Sequence, residues 1–282
     1  MITVGYETAD AVNSRGPSPK IWADCPVVSF QKDPSRGIHK FDDFKNSSIP
    51  TEEAGRTAMT SGIANVVGDI NWYAFIESAL TADCVLQADD DGVLMLDQDG
   101  SDDVVDSITT GNNVQGVFKT GTVKSSKKWW FEVRAKLSTI TTGDLGTFIG
   151  LAAPGEAKAA HIQGADSALE DVDYIGFHID EADGDAFDIV YNEATSGTAV
   201  AVTGKIAVSA ADAYFRLGMK YDPNDNKVHC YLDGVEVYSY STDSIHFPTS
   251  TDFDVLINIS SGSGGADGDN IKIDWVRYGV EY

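Results

Sequence analysis

The chain has 282 residues with 44 acidic and 20 basic side chains, a formal net charge of −24. That balance argues against a nucleic-acid partner, because gripping a phosphate backbone takes clustered Lys and Arg that the composition does not supply. Hydrophobic residues make up 42% of the chain, with 12 Phe, 5 Trp and 11 Tyr, enough to fill a large core and to set global disorder aside.

The first ten residues, MITVGYETAD, carry acids in place of a basic and then apolar leader, so no export signal is expected. No apolar run approaches the ~18 residues of a membrane span, and no membrane partner is expected. Residues 1–36 hold Pro17, Pro19 and Pro34 among Gly and Ser, with little periodicity, yet also Ile21, Trp22, Val27, Val28 and Phe30. A free linker would not need those apolar groups. Two readings follow: a strap folded back on its own domain, or an extended arm that docks on another subunit through Trp22, Val27, Val28 and Phe30. Residues 37–282 are read as one sandwich domain.

Along that domain strict alternation dominates, the period of half-buried strands. CVLQAD and VLMLD flank Asp91-Gly92, a hairpin signal. In KWWFEVRAKLS, Trp129, Phe131, Val133, Ala135 and Leu137 fall on one face and Glu132, Arg134 and Lys136 on the other. AYFRLGMKY, VHCYL and VEVYSY are joined by Asp222–Asn226 and by Asp233-Gly234, which predicts a three-stranded meander over 213–240. FDVLINIS and NIKIDWVRY add two more strands, and Gly/Ser/Asp-rich stretches at 192–200 and 261–270 read as loops. The predicted inward residues include Phe215, Leu217, Val228, Leu232, Val237, Val255, Ile257, Ile271 and Ile273. No window sustains a helical period, so the fold class is all-β, an antiparallel β-sandwich. Cys25, Cys84 and Cys230 are odd in number, without CxxC spacing, and are expected as free thiols of a reducing compartment.

From about Phe41 to Tyr282 the chain resembles the concanavalin A-like jelly-roll superfamily of lectins, laminin-G-like modules and family 16 glycoside hydrolases. KFDDF is similar to the opening strand of such domains, KIDWVRYGVEY to the closing strand that pairs beside it, WWFEVRAKL to the hydrolases' aromatic-FEAR strand, and YDPNDNKVHCYLDGVEVYSY to their turn and "DG" hairpin. The enzymes of the family carry Glu-x-Asp-x-Glu on one strand, because i and i+2 share a face and can point into one cleft. Here the corresponding region reads Glu170-Asp171-Val172-Asp173-Tyr174-Ile175: Asp171 and Asp173 alternate together, Ile175 follows them, and Glu170 points away. The pattern is broken, so the resemblance implies a scaffold that is not an enzyme, with no catalytic residue assigned.

Other chemistry is thin. Asp97-x-Asp99-Gly100-x-Asp102-Asp103, His178 to Asp185 and Asp267-Gly268-Asp269 begin like calcium loops without completing one; a structural Ca²⁺ is the one ion they suggest, and no cofactor is expected. Pairing Leu232 with Val235 puts Tyr231 opposite Glu236 and His229 opposite Tyr238, with Tyr240 one step along. That polar-aromatic stripe suits a subunit interface or a glycan. Lectin-like sandwiches with such N-terminal segments resemble virion proteins of tailed bacteriophages. The resemblance implies a capsid decoration or cement protein on the virion exterior, bound to a major capsid protein or to copies of itself through Trp22, Val27, Val28, Phe30, Tyr231, Tyr238 and Tyr240. The alternative is a carbohydrate-binding, lectin-like module with a host glycan as partner; a family 16-like hydrolase is third.

Overall fold

The computed structural model describes residues 15–47, 58–59, 62–77, 84–87, 92–111, 116–118, 124, 126–159, 162–163, 168–182, 184–194, 196, 199–249 and 252–282. Two short helices come first, α1 (Pro19–Trp22) and α2 (Val27–Lys32), then a 3₁₀ turn at Pro34–Arg36. The strands follow as β1 (Gly37–Asp42), β2 (Ala58–Met59), β3 (Gly62–Val66), β4 (Trp72–Ile76), β5 (Cys84–Gln87), β6 (Val93–Asp99), β7 (Val105–Thr109), β8 (Trp129–Leu137) and β9 (Leu145–Ala152). After a one-turn helix, α3 (Glu156–Ala159), come β10 (Tyr174–Ile179), β11 (Ala186–Asn192), β12 (Val200–Ala207), β13 (Phe215–Asp222), β14 (Lys227–Leu232), β15 (Val235–Ser241), β16 (Asp254–Ser261) and β17 (Asp267–Glu281).

Among the described residues these strands make two antiparallel sheets. The first has nine strands in the order β15-β14-β13-β8-β17-β6-β5-β2, with β1 also on β17; the second has eight, β12-β11-β10-β9-β16-β7-β4-β3. The long strand β17 is the seam of the first sheet. Its first half pairs with β6 and its second half with β1, from Gly37 opposite Glu281 to Asp42 opposite Val276, so the two ends of the sandwich domain lie side by side. The predicted turns at 222–226 and 233–234 form, and Asp233 (φ 50°) and Gly234 (φ 78°) both adopt the left-handed backbone that a two-residue hairpin of this twist requires; Asp91 of the predicted Asp91-Gly92 turn lies outside the described residues.

Alternation fills the space between the sheets. Trp129, Phe131 and Val133 of β8 meet Ile149 and Leu151 of β9, Ile175 and Phe177 of β10, Leu217 of β13 and Val255 and Ile257 of β16 in one apolar cluster. All twelve residues predicted to point inward on β8 and β13–β17 belong to this cluster or border it, Leu232 and Val237 being only partly buried. Of the four register shifts among the described strands, two change which side the predicted residues take. In β17 the step between Ile273 and Trp275 places Asp274 against Arg134 on the outer face, and Trp275 Nε1 donates there to Arg15 O at 2.6 Å; inward pointing then resumes at Val276, Tyr278 and Val280. In β15 an extra residue, Val237, shifts the pairing so that Cys230 faces Tyr238 and His229 faces Ser239. An added residue reverses the side on which every later residue falls.

The described part of the N-terminal segment, residues 15–36, lies across the outer face of its own first sheet. Ile21, Trp22 and Phe30 bury against Trp130 and Tyr231. Ile21 lies over Gly218, where a Cβ would stand 2.3 Å from its Cδ1.

Candidate functional site

The seven residues expected to contact a partner divide sharply. Trp22, Phe30, Tyr231 and Tyr240 are buried within the chain, Val27 and Tyr238 are half-buried, and Val28 is 51% exposed. The expected aromatic stripe does not form. Tyr231 remains on the outer face under the N-terminal segment, whereas the Val237 bulge turns Tyr238 and Tyr240 towards the core, where Tyr240 stacks on Tyr191 at 4.6 Å. Trp22 is likewise engaged by its own chain, with Nε1 donating to Glu132 at 2.7 Å and the Arg277 guanidinium 4.0 Å from its ring. Among the described residues no group of three His, Cys, Asp or Glu side chains is disposed to hold a metal, and Asp183 of one expected calcium loop lies outside them.

The chemistry gathers instead on the outer face of the second sheet. Strand β10 turns Ile175, Phe177 and Ile179 into the core and presents Tyr174 on the opposite side, beside Phe148 of β9, Val190 of β11 and Leu256 of β16. The segment between β9 and β10 lies over this face through Ala157, Ile162, Leu169 and Val172. Phe148 can lie flat across the sheet because its neighbours are glycines: a Cβ on Gly150 or on Gly176 would stand 3.0 or 2.7 Å from its ring. No strand here carries the Glu-x-Asp-x-Glu triplet, since β10 offers Tyr174, Gly176 and His178 at those alternating positions. Asp171 and Asp173, expected to share a strand face, lie in the turn that leads into β10.

That turn is nonetheless where carboxylates collect. Asp171 accepts from Asn192 Nδ2 at 2.9 Å, and Asp173 accepts from the Ala194 backbone N–H at 2.7 Å. Burial raises the Asp173 carboxyl above the ordinary range, and the charges of Glu193 and Asp171 add to the rise. Glu156, at the start of α3, is raised in the same way, by burial first and then by Asp173 and Glu170. Five carboxylates, Glu156, Glu170, Asp171, Asp173 and Glu193, therefore rim one end of the face.

Beside this rim, polar groups are buried without partners. The hydroxyl of Tyr174, both amide atoms of Gln163 and Oδ1 of Asn192 have no hydrogen-bond partner among the described residues, although the three residues are at most 2% exposed. Tyr174 pairs across the strands with Asn192, and Gln163 bridges to Leu169, next to Glu170. A buried donor or acceptor left unpaired costs about 1–3 kcal/mol, so these three residues are an uncompensated polar group on an otherwise apolar face. Sequence reading missed them because it reports which side of a strand a residue takes, and nothing of what lies over it.

No family model matches the chain, and no curated protein matches it. Solved structures do. The laminarinase from Rhodothermus marinus superposes with a TM-score of 0.53 at 14% identity, over 87% of this chain and 99% of that one. The endo-β-1,3-glucanase from Pyrococcus furiosus gives 0.51 at 12% identity, over 86% and 93%. The carbohydrate recognition domain of Emp47p gives 0.50 at 10% identity, over 85% and 96%. Nothing among these matches supports a capsid role. They also correct the expectation that the chain is not an enzyme, because the architecture it adopts is one that glucanases share over nearly their whole length. By its two sheets, its paired ends and these neighbours, the chain is a jelly-roll β-sandwich of the concanavalin A-like kind.

Proposed function

We propose that the chain is a carbohydrate-directed protein whose sugar site is the outer face of the second sheet, between the segment that precedes β10 and the end of β11. The observation that carries this reading is the set of buried, unpartnered polar groups on Tyr174, Gln163 and Asn192. Hydroxyl, amide donor and amide acceptor are the groups that pair with sugar hydroxyls, and the half-buried Tyr73 adds an aromatic edge beside them. The rim carboxylates supply further acceptors. Glucanases and a carbohydrate recognition domain that share the fold support the same direction.

The test separates binding from folding. Removing an unpaired buried hydroxyl does not destabilise a protein, so Tyr174→Phe should leave the melting temperature unchanged or slightly higher. The same substitution should weaken binding of the best ligand on a glycan array by about tenfold, the worth of one hydrogen bond at about 1.4 kcal/mol. Reducing ends released from β-1,3 and β-1,4 glucans are measured on the same samples. Release abolished by Glu156→Gln would place hydrolysis at this rim. Absence of binding to any glycan, or equal affinity in wild type and Tyr174→Phe, would overturn the proposal.

A further inference from the structure

We infer that this site selects uncharged glycans and rejects those bearing uronate or sulfate groups, an inference that rests on the carbohydrate reading above. The groups that would pair with a sugar and the groups that would repel an anion occupy one place. Asn192 holds Asp171 through its Nδ2 at 2.9 Å and has Oδ1 unpartnered, so a sugar hydroxyl bonded to Asn192 sits next to a fixed carboxylate. Tyr174 lies across the strand pair from Asn192, and Gln163 is linked through Leu169 to the chain at Glu170. Each polar group that invites a ligand therefore has a rim carboxylate close by, and Asp173 and Glu193 flank the end of β11.

The mutual action of these groups shows that their charges are close. Glu156 and Asp173 are both held above the ordinary carboxylate range, burial being the larger cause and neighbouring carboxylates the next, with no cation acting on either among the described residues. A site that already resists its own ionisation resists an added anion for the same reason. The net charge of −24 on the whole chain acts in the same direction at longer range. An uncharged oligosaccharide has none of this repulsion and gains hydrogen bonds to charged acceptors, which are stronger than neutral ones.

The experiment compares neutral gluco- and xylo-oligosaccharides with oligogalacturonates and alginate oligomers of matched length, at pH 7 and low salt, by calorimetry. A neutral ligand should bind at least about tenfold more tightly than any anionic one. The double variant E156Q/E170Q tests the cause. Among the described residues neither side chain makes a hydrogen bond to the rest of the site, so their neutralisation spares the Asn192 and Ala194 contacts, and the discrimination should shrink to within about threefold. It should shrink in the wild type as well at 1 M salt, where charge is screened beyond roughly 3 Å. A wild-type protein that binds anionic and neutral glycans equally would overturn the inference and leave the carbohydrate reading standing. So would discrimination that survives both the double variant and high salt, which would make shape the selector. Failure to bind any glycan removes the carbohydrate reading, and this inference with it.

Discussion

One carboxylate ties the N-terminal segment to the sandwich. Glu132 has no exposed surface, accepts from the Ser18 backbone N–H at 2.9 Å and from Trp22 Nε1 at 2.7 Å, and takes the Ser18 hydroxyl as well. Burial raises its pKa, and those hydrogen bonds, with the Arg216 charge behind them, work to lower it. In the sequence Glu132 stands at a polar position of WWFEVRAKL, and its place on the outer face is legible there. Its burial is not, because the cover comes from a stretch more than a hundred residues away with no periodicity of its own. Glu132→Ala leaves the Ser18 backbone N–H, the Ser18 hydroxyl and Trp22 Nε1 without their acceptor, and removes the charge that faces Arg216. Denaturant unfolding should show a loss of about 3–5 kcal/mol, the usual result of removing one member of a buried charged set. A loss below 1 kcal/mol would mean that the segment is held by its apolar contacts alone.

Those apolar contacts decide the element scale. Ile21, Trp22 and Phe30 are at most 4% exposed, and fully burying side chains of this kind contributes about 1.5–3 kcal/mol each before ordering costs. Asp24 adds ion pairs to Lys128 at 2.7 Å and Lys220 at 2.8 Å. The segment is thus part of the folded unit, and deleting residues 1–36 should lower the denaturation midpoint markedly or leave the remainder insoluble, since Trp130 and Tyr231 would lose their cover. A truncated chain with the full-length transition would show the sandwich to be self-sufficient. The composition of this segment left strap and docking arm equally open, because Pro, Ser and scattered apolar groups serve both. The strands were far more legible: every alternating run named in the sequence is a strand here. What alternation could not reveal is a bulge. Val237 and the Asp274–Trp275 step each break the period without any Gly or Pro to announce them, which is why Tyr238 and Tyr240 face the core and not the surface. The candidate sugar site was hidden for a related reason, since Tyr174 meets Asn192 only through the pairing of β10 with β11, and Gln163 meets Leu169 only through an isolated bridge ahead of β10.

At the scale of the whole molecule, a net charge of −24 means that lowering the pH relieves self-repulsion, so the wild-type melting curve alone cannot isolate any one group. Two residues on the face beneath the N-terminal segment should respond with opposite slopes. His39 accepts from Arg277 Nε at 2.7 Å and lies edge-on to Trp22, and its pKa is pushed down to about 4, by burial first and by the Arg277 charge second. The folded state therefore binds a proton there less readily than the unfolded chain. Stability from neutral His39 is fully present above pH 6.5 and is lost as the pH falls from 6.5 towards 4. Its partial exposure reduces the full linkage value to about 1–2 kcal/mol. Glu132 works the other way: its raised folded pKa makes folding take up a proton, so its favourable share is present below its ordinary value of 4.5 and disappears as the pH rises through the folded value. His39→Gln keeps an acceptor for Arg277 and cannot titrate. The stability advantage of wild type over this variant should be constant above pH 6.5 and shrink steadily down to pH 4. The advantage of wild type over Glu132→Gln should instead grow over the same descent. Urea unfolding at half-unit steps of pH measures both differences, and the repulsion common to all three proteins cancels. Parallel curves for wild type and His39→Gln between pH 6.5 and 4 would show that His39 takes up its proton in the folded protein as easily as in water, and that the Arg277 contact does not hold it neutral.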